Sequence, residues 1–357
     1  MHPGDNSNIV VSGSGAVSPA GWSAEDLIAK VLLGEPLPDE TVAREAHAHP
    51  CRMRAVPMPT DVPEFFRHPR LRRASPISRY LAAAGLEALG QARGIAVRDG
   101  KLRLGIVVVF STGCVSYTRR FFEEMLDDPS LASPILFPET VFNAPASHLA
   151  ALLGSTGINY TLLGDSAEFL SGLKLACDWL HTGECDGCLV IGAEESDWLI
   201  YEAIQLFTRG VVTASGAGAL YLEQKERPDD GDVRISRITD PVLYTDHGAR
   251  KFAPAEMRTR LGLDAAVEAR TLLLDGLQDC VRLDAPERAA WENWGGQRLS
   301  IRKVLGDALG ASVAWQCVCA RGLLLGKNQG YHSAIVSAVG LNQQSIAAEF
   351  TLKPSRI

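Results

Sequence analysis

The chain has 357 residues, 46% hydrophobic and 22% charged, with a formal net charge of -7. It holds no run of about 18 apolar residues, and Met1-His-Pro-Gly-Asp5 is not a charged-then-apolar leader, which argues against a membrane span or a secretory signal. An acidic balance argues against non-specific nucleic-acid binding, which calls for a basic face. The expectation is a cytoplasmic protein, with neither membrane nor nucleic acid as partner, built as one large domain or two ordinary ones.

Short β-branched-rich runs alternate with helical patterns along the chain. The runs are Ile9-Val-Val11, Leu104-Gly-Ile-Val-Val-Val109, Tyr160-Thr-Leu-Leu163, Cys188-Leu-Val-Ile191, Ala217-Gly-Ala-Leu-Tyr-Leu222, Cys280-Val-Arg-Leu283 and Ser333-Ala-Ile-Val-Ser-Ala-Val339. This order predicts an α/β protein with largely buried sheets. Between the first two runs, the Pro-rich residues 35–63 read as a surface excursion. Arg67-His-Pro-Arg-Leu-Arg-Arg73 then concentrates four arginines ahead of a helix over 77–89. It reads either as a solvated loop or as a dock for an acidic partner. The acidic, turn-rich stretch Glu223-Gln-Lys-Glu-Arg-Pro-Asp-Asp-Gly-Asp232 is the natural junction, dividing one 1–357 unit into an N-terminal part, 1–228, and a C-terminal part, 229–357.

Eight cysteines are too sparse for a disulfide scaffold in a chain of this length. Cys185-Asp-Gly-Cys188 has redox or zinc spacing but runs into the apolar Leu189-Val-Ile191, so core packing is the better reading. Cys317 and Cys319, two apart in a helical pattern, face different ways and make a poor metal pair. No metal and no resident cofactor is expected.

The most informative stretch is Asn159-Tyr-Thr-Leu-Leu-Gly-Asp-Ser166-Ala-Glu-Phe, followed by apolar positions 169, 170, 173, 177 and 180 at helical spacing. A strand ending at Leu163, a glycine turn and a helix starting near Ser166 would aim that hydroxyl and the first free backbone N–H groups at one point. That suits an acyl nucleophile and its oxyanion. Asp-Ser at a helix start is equally an ordinary capping pair. A partial echo follows at Leu305-Gly-Asp-Ala-Leu309, again ahead of a long apolar helix. His181, in Asp178-Trp-Leu-His181, is 15 residues from Ser166 on what reads as one helix. At 1.5 Å per residue that is about 20 Å, too far for a triad. His148, in the segment before the strand, reads as a packing or surface histidine.

This stretch, with Gly187-Cys-Leu-Val-Ile-Gly-Ala-Glu-Glu195, Ile9-Val-Val-Ser-Gly-Ser-Gly-Ala-Val-Ser-Pro19 and Ala334-Ile-Val-Ser-Ala-Val-Gly-Leu341 in the same order, resembles the β-ketoacyl-acyl-carrier-protein synthases of the thiolase superfamily. The resemblance implies a thiolase-like fold: two similar halves with mixed sheets and buried central helices in layers. It implies a dimer formed through the central sheet and an acyl carrier protein as partner. It also implies substrates that are acyl thioesters borne on phosphopantetheine. The family's nucleophilic cysteine is replaced by Ser166. A serine needs a base, whereas a cysteine at a helix N-terminus can lose its proton unaided. Of the family's two histidines, the one in a Lys-x-x-x-Gly-His turn maps onto Arg302-Lys-Val-Leu-Gly-Asp307, so Asp307 holds its place, and a carboxylate cannot donate a hydrogen bond. The His-Gly-Thr-Gly-Thr loop has no counterpart; Asp279 to Trp291 run through its expected place without a histidine. The last strand keeps part of the oxyanion loop as Val339-Gly-Leu341-Asn-Gln-Gln344, whose Leu341 N–H could join that of Ser166. Three functions stay open: a chain-length-factor-like partner of an active ketosynthase (a homo- or heterodimer subunit), a Ser166-dependent acyltransferase using carrier-protein or coenzyme A thioesters with Asp307 as base, and a non-catalytic acyl-binding protein.

Overall fold

The computed structural model describes residues 8–42, 50–263, 270–326 and 330–352, and of Phe207 the backbone alone. Residues 1–5, where a leader was sought, and part of the Pro-rich segment, 43–49, lie outside the described residues. The chain runs through β1 (Ile9–Val17), α1 (Ala24–Leu33), β2 (Glu40–Val42), β3 (Cys51–Arg54), α2 (Pro76–Leu89), α3 (Gln91–Arg98), β4 (Leu104–Phe110) and α4 (Val115–Asp127). It continues with α5 (Ala144–Leu153), β5 (Asn159–Leu163), α6 (Glu168–Thr182), β6 (Gly187–Glu194), α7 (Trp198–Phe207), β7 (Val212–Ala214) and β8 (Gly216–Gln224). Then follow β9 (Val233–Ile238), β10 (Val242–Leu243), α8 (His247–Arg250), α9 (Ala253–Leu261), β11 (Thr271–Asp275) and α10 (Val281–Ala290). The chain closes with β12 (Arg298–Ser300), α11 (Ile301–Leu305), α12 (Gly310–Leu325), β13 (Ser333–Val339) and β14 (Gln344–Leu352).

Two halves repeat one topology. In the first, parallel β5, β4 and β6 lie in that order, β8 adds antiparallel to β6, and β1 adds antiparallel to β8. In the second, β12, β11, β13, β14 and β9 take the same places with the same directions. The halves meet where β1 pairs with β9 at Val10 and Arg234, giving one continuous sheet. A small side sheet, β2-β3-β7, forms from the described part of the Pro-rich segment, so that stretch is anchored by strand pairing and is more than a surface excursion.

Alternation along each strand decides the layers, because successive side chains face opposite sides. Val107 and Val109 of β4 join Leu272, Leu274 and Val336 of the other half in one core around α6 and α12. Ile106, Val108 and Phe110 face away, onto α2 and α5. Leu273 and Ile335 do likewise against α9 and Trp291. With both faces covered, these strands read as unbroken apolar runs.

Helix α12 is buried along nearly its whole length, and small residues let it sit there. A Cβ on Gly218 of β8 would come within 2.8 Å of Ala314, and one on Gly192 of β6 within 2.4 Å of the Gly310 carbonyl oxygen. Two of its buried side chains donate to strand carbonyls: Trp315 Nε1 to Val17 (3.1 Å) and Ala217 (3.0 Å), and Gln316 Nε2 to Leu274 (3.1 Å) and Ser337 (3.2 Å).

One strand expectation is corrected. Cys280-Val-Arg-Leu283 opens helix α10; Cys280, Leu283, Asp284, Glu287 and Trp291 are buried while Val281 is exposed, a helical recurrence of three and four. The strand of this region is the preceding β11, Thr271-Leu-Leu-Leu-Asp275.

Because Gly218 meets the backbone of α12, Gly218→Val should cost about 1–3 kcal/mol, the usual range for overpacking. A thermal denaturation midpoint that fails to fall would show that α12 is not pressed onto β8.

Candidate functional site

The turn between β5 and α6 is held at both ends. Gly164 donates its N–H to the Phe110 carbonyl (3.0 Å), and Asp165 donates its own to the Gln343 side-chain oxygen (2.8 Å). Ser166 follows, two residues ahead of the first helical residue, Glu168, and is 2% exposed. Its Oγ has no hydrogen-bond partner among the described residues. Among the described residues no imidazole is bonded to it.

Asp165 holds the approach to α6. Its Oδ1 accepts from the Ala167 N–H (3.1 Å), and its Oδ2 accepts from the N–H groups of Asn342 (3.4 Å) and Gln343 (3.0 Å) in the turn between β13 and β14. A Cβ on Gly340 would stand 1.9 Å from Oδ2, so glycine is required there for the turn to approach. Burial pushes the Asp165 carboxyl above the usual range, against the pull of the three N–H groups and of the Arg302 charge. Leu341, in the same turn, packs its side chain against Val211, Cys280 and Leu283. Two of the turn's N–H groups thus serve Asp165.

Asp307 sits ahead of α12 and repeats the role of Asp165 in the other half. Its Oδ1 accepts from the Leu309 N–H (3.0 Å) and the Ser312 hydroxyl (2.9 Å), as that of Asp165 accepts from the N–H two residues on. Its Oδ2 faces Arg302 Nη1 at 3.4 Å, with both side chains 3% exposed. Its backbone is fastened to β7, Asp307 N–H to Val212 (2.8 Å) and Ala214 N–H to Asp307 (2.9 Å). Leu309, at the entry to α12, has φ 45°, and the Ser166 turn contains no such positive φ.

The sequence search for histidines passed over Asp275. This residue ends β11, is followed by Gly276 and is fully buried, with its Oδ2 2.6 Å from Arg298 Nε. Its signal in the sequence was an apolar run closed by an acid and a glycine, Thr271-Leu-Leu-Leu-Asp-Gly276. Nearby, Glu287 accepts from the Gly276 N–H (3.1 Å) and the Ser337 hydroxyl (2.5 Å), and burial raises its carboxyl well above the usual range. The Arg302 charge reaches Asp165 and Glu287 as well as Asp307.

The histidines with described side-chain contacts stand elsewhere. His148, buried on α5, bonds Glu139 (2.7 Å); His181, at the end of α6, bonds Asn8 (3.3 Å); His247 bonds Arg282 (3.4 Å). All eight cysteines are free and buried. No group of three metal-ligating side chains forms among the described residues, and none of their helices is long and apolar enough to cross a membrane.

Residues 6–228 match the family model for the β-ketoacyl synthase N-terminal domain, and the chain belongs to that family. No curated protein matches the chain in sequence. Among solved structures, the ishigamide ketosynthase/chain length factor matches with a TM-score of 0.78 at 19% identity, over 97% of this chain and 99% of that one. The type II polyketide synthase ketosynthase AntDE, in complex with the acyl-carrier protein AntF and bound to the hexaketide, matches with a TM-score of 0.77 at 17% identity, over 97% and 99%. The ketosynthase ApeO in complex with its chain length factor ApeC, from Xenorhabdus doucetiae, matches with a TM-score of 0.74 at 14% identity, over 97% and 98%. At these identities the likeness shows the thiolase-like ketosynthase fold.

Asp307→Asn leaves the guanidinium of Arg302 without its ion-pair partner, and breaking one side of a buried pair costs about 3–5 kcal/mol. The variant should lose that much in denaturant unfolding; a loss below about 1 kcal/mol would free Asp307 for another role.

Glu194, at the end of β6, is fully enclosed; it accepts hydrogen bonds from Ser111 and Thr112, and burial pushes its carboxyl up to about 7. A folded-state value above the unfolded one means stability that is complete below about pH 4.5 and is lost as pH rises through about 7. Between those values native stability should fall by up to about 1.4 kcal/mol per pH unit relative to Glu194→Gln. Parallel pH profiles for the two proteins would contradict this.

Proposed function

We propose that this chain is a ketosynthase-like subunit of fatty-acid or polyketide-type biosynthesis that does not condense acyl groups by itself and pairs with an active ketosynthase, in the manner of a chain-length factor. The observation that carries the reading is the chemistry of three positions. Ser166 stands where the family's cysteine is expected, Asp307 at one histidine position, and Asp275 at the strand end before Gly276. Carboxylates engaged with Arg302 and Arg298 cannot hydrogen-bond a thioester carbonyl as donors. Leu341 belongs to the remnant of the oxyanion loop, whose next two N–H groups serve Asp165.

The pairing surface is supported by an open sheet edge. Strand β5 has β4 on one side and no strand on the other among the described residues, while Tyr160 is 54% and Leu163 50% exposed on it. An apolar edge strand is a ready site for adding another chain. Phe122, Leu126, Ile135 and Phe137, in the segment before it, are also exposed. Arg67, Arg70, Arg72 and Arg73 are all exposed, as an acidic carrier protein presenting a phosphopantetheine-borne acyl thioester would require.

Ser166 keeps a second reading alive, because its buried hydroxyl is not tied down by any hydrogen bond. An acyltransferase would leave an acyl adduct on Ser166, visible by intact mass after incubation with acyl thioesters and lost in Ser166→Ala. Without a base in contact, the expected result is no adduct.

The partner reading is tested by purifying the chain with the ketosynthase encoded beside its gene. Light scattering should report a one-to-one complex that Tyr160→Lys disrupts while the monomer's melting point stays unchanged. Separate species throughout would remove the proposal.

A further inference from the structure

Cys185-Asp-Gly-Cys188 is a motif that the proposed function leaves unused. Both cysteines are buried, Cys185 4% and Cys188 0% exposed, as core packing requires. Their sulfurs nevertheless crowd over one point: a Cβ built on Gly105 of β4 would meet Cys185 Sγ at 3.0 Å and Cys188 Sγ at 3.3 Å. Cys188 is fixed in β6, in register with Gly105 on one side and Leu222 on the other. Cys185 lies in the turn between α6 and β6, which Arg103 pins from outside. The Arg103 N–H donates to Asp186 Oδ2 (2.9 Å), the Asp186 N–H to the Arg103 carbonyl (2.9 Å), and Arg103 Nη1 to the Gly183 carbonyl (3.0 Å). The Cys188 thiol does most to hold the Cys185 thiol below its ordinary value, helped by the Gly105 N–H and the Arg103 charge and opposed by burial and the Asp186 charge. Burial keeps the Cys188 thiol well above that value. A structural metal would need further ligands, and no group of three candidate side chains forms among the described residues.

We propose that Cys185 and Cys188 are a redox pair that closes reversibly to a disulfide on meeting hydrogen peroxide, with Cys185 as the attacking and Cys188 as the resolving residue. The Cys185 thiolate attacks one peroxide oxygen; an S–O bond forms, the O–O bond breaks, and hydroxide leaves to become water with the proton that Cys185 gave up. The Cys188 sulfur then attacks the sulfenic sulfur of Cys185; the S–S bond forms, the S–O bond breaks, and the hydroxyl leaves as water with the Cys188 proton. Two thiols lose two electrons, and one peroxide gains them. The bond encloses only Asp186 and Gly187, and it ties the turn after α6 to the central sheet. The other side chains near the pair, Trp179 and Val190 among them, belong to the same core, so the only approach for the oxidant is through the turn that holds Cys185. The inference goes beyond pairing with a ketosynthase and does not rest on it.

The test treats the native full-length chain with hydrogen peroxide, alkylates the remaining thiols in denaturant and maps the chain by mass after cleavage at glutamates, which isolates residues 185–194. That peptide should be lighter by two hydrogens and carry no alkyl group, and dithiothreitol should return both thiols. It should react about tenfold faster than the peptides holding Cys177, Cys317 and Cys319, which are buried as deeply. In Cys188→Ser the sulfenic acid should persist on Cys185 and be trapped by dimedone, whereas in Cys185→Ser the oxidation of Cys188 should slow to the rate of the other buried cysteines. Full alkylation of Cys185 and Cys188 after peroxide, or oxidation no faster than that of the other three, would overturn the proposal. This arm uses the native chain alone, so it decides the matter even where a variant does not fold.

Discussion

Taking a guanidinium out of water costs several kcal/mol, and Arg302 is 3% exposed. Anionic partners offset that cost. Asp307 supplies the contact at 3.4 Å, and the charges of Asp165 and Glu287 lie within its field. Each of those carboxylates in turn holds something else: Asp307 the entry to α12, Asp165 the turn between β13 and β14, Glu287 the Gly276 N–H at the end of β11. The entry to α12, the turn after β13 and the end of β11 are thereby linked through one cation.

That dependence limits what the site can do chemically. A general base must be free to take a proton, and Asp307 accepts two hydrogen bonds and an ion pair before any substrate arrives. Moving a proton onto it would strand Arg302. Asp275 stands under the same constraint from Arg298. A site rebuilt around buried ion pairs keeps the shape of the fold, but its titratable groups are committed to structure.

Much of the fold was legible in the sequence because buried strands announce themselves. The apolar runs of β1, β4, β6, β8 and β13 all stand out, since both their faces are covered, and edge strand β5 stands out by its apolar composition alone. Strand β9 was missed although Val233 and Ile235 alternate with Arg234 and Ser236, a pattern half hidden by charge. The run Cys280-Val-Arg-Leu283 was misread because four residues cannot distinguish a period of 2 from one of 3.6; the buried Asp284 and Glu287 that decide it are polar and count against burial in any sequence reading. Ser166, Asp307 and Leu341 could be placed by motif, whereas Asp275 was passed over because the search was for an imidazole. The role of Asp165 had no local signal at all. Its donors lie 177 and 178 residues away in sequence, and only the folded sheet brings them together.

The two halves place the same acid ahead of their central helices. Gly164-Asp165, directly after β5, and Gly306-Asp307, which α11 separates from β12, each precede a central helix, and each aspartate accepts the N–H two residues on. In a working condensing site the two turns would carry unlike groups, one to attack and one to donate. Here they carry the same acid on the same structural task, with Arg302 near both. A buried carboxylate that accepts an N–H ahead of a helix and lies near a cation serves either half equally well. Ser166 is the exception, a buried hydroxyl that nothing in the described structure employs. An idle hydroxyl of that size is tolerated because its two lone pairs and one hydrogen cost far less to leave unpaired than a charge.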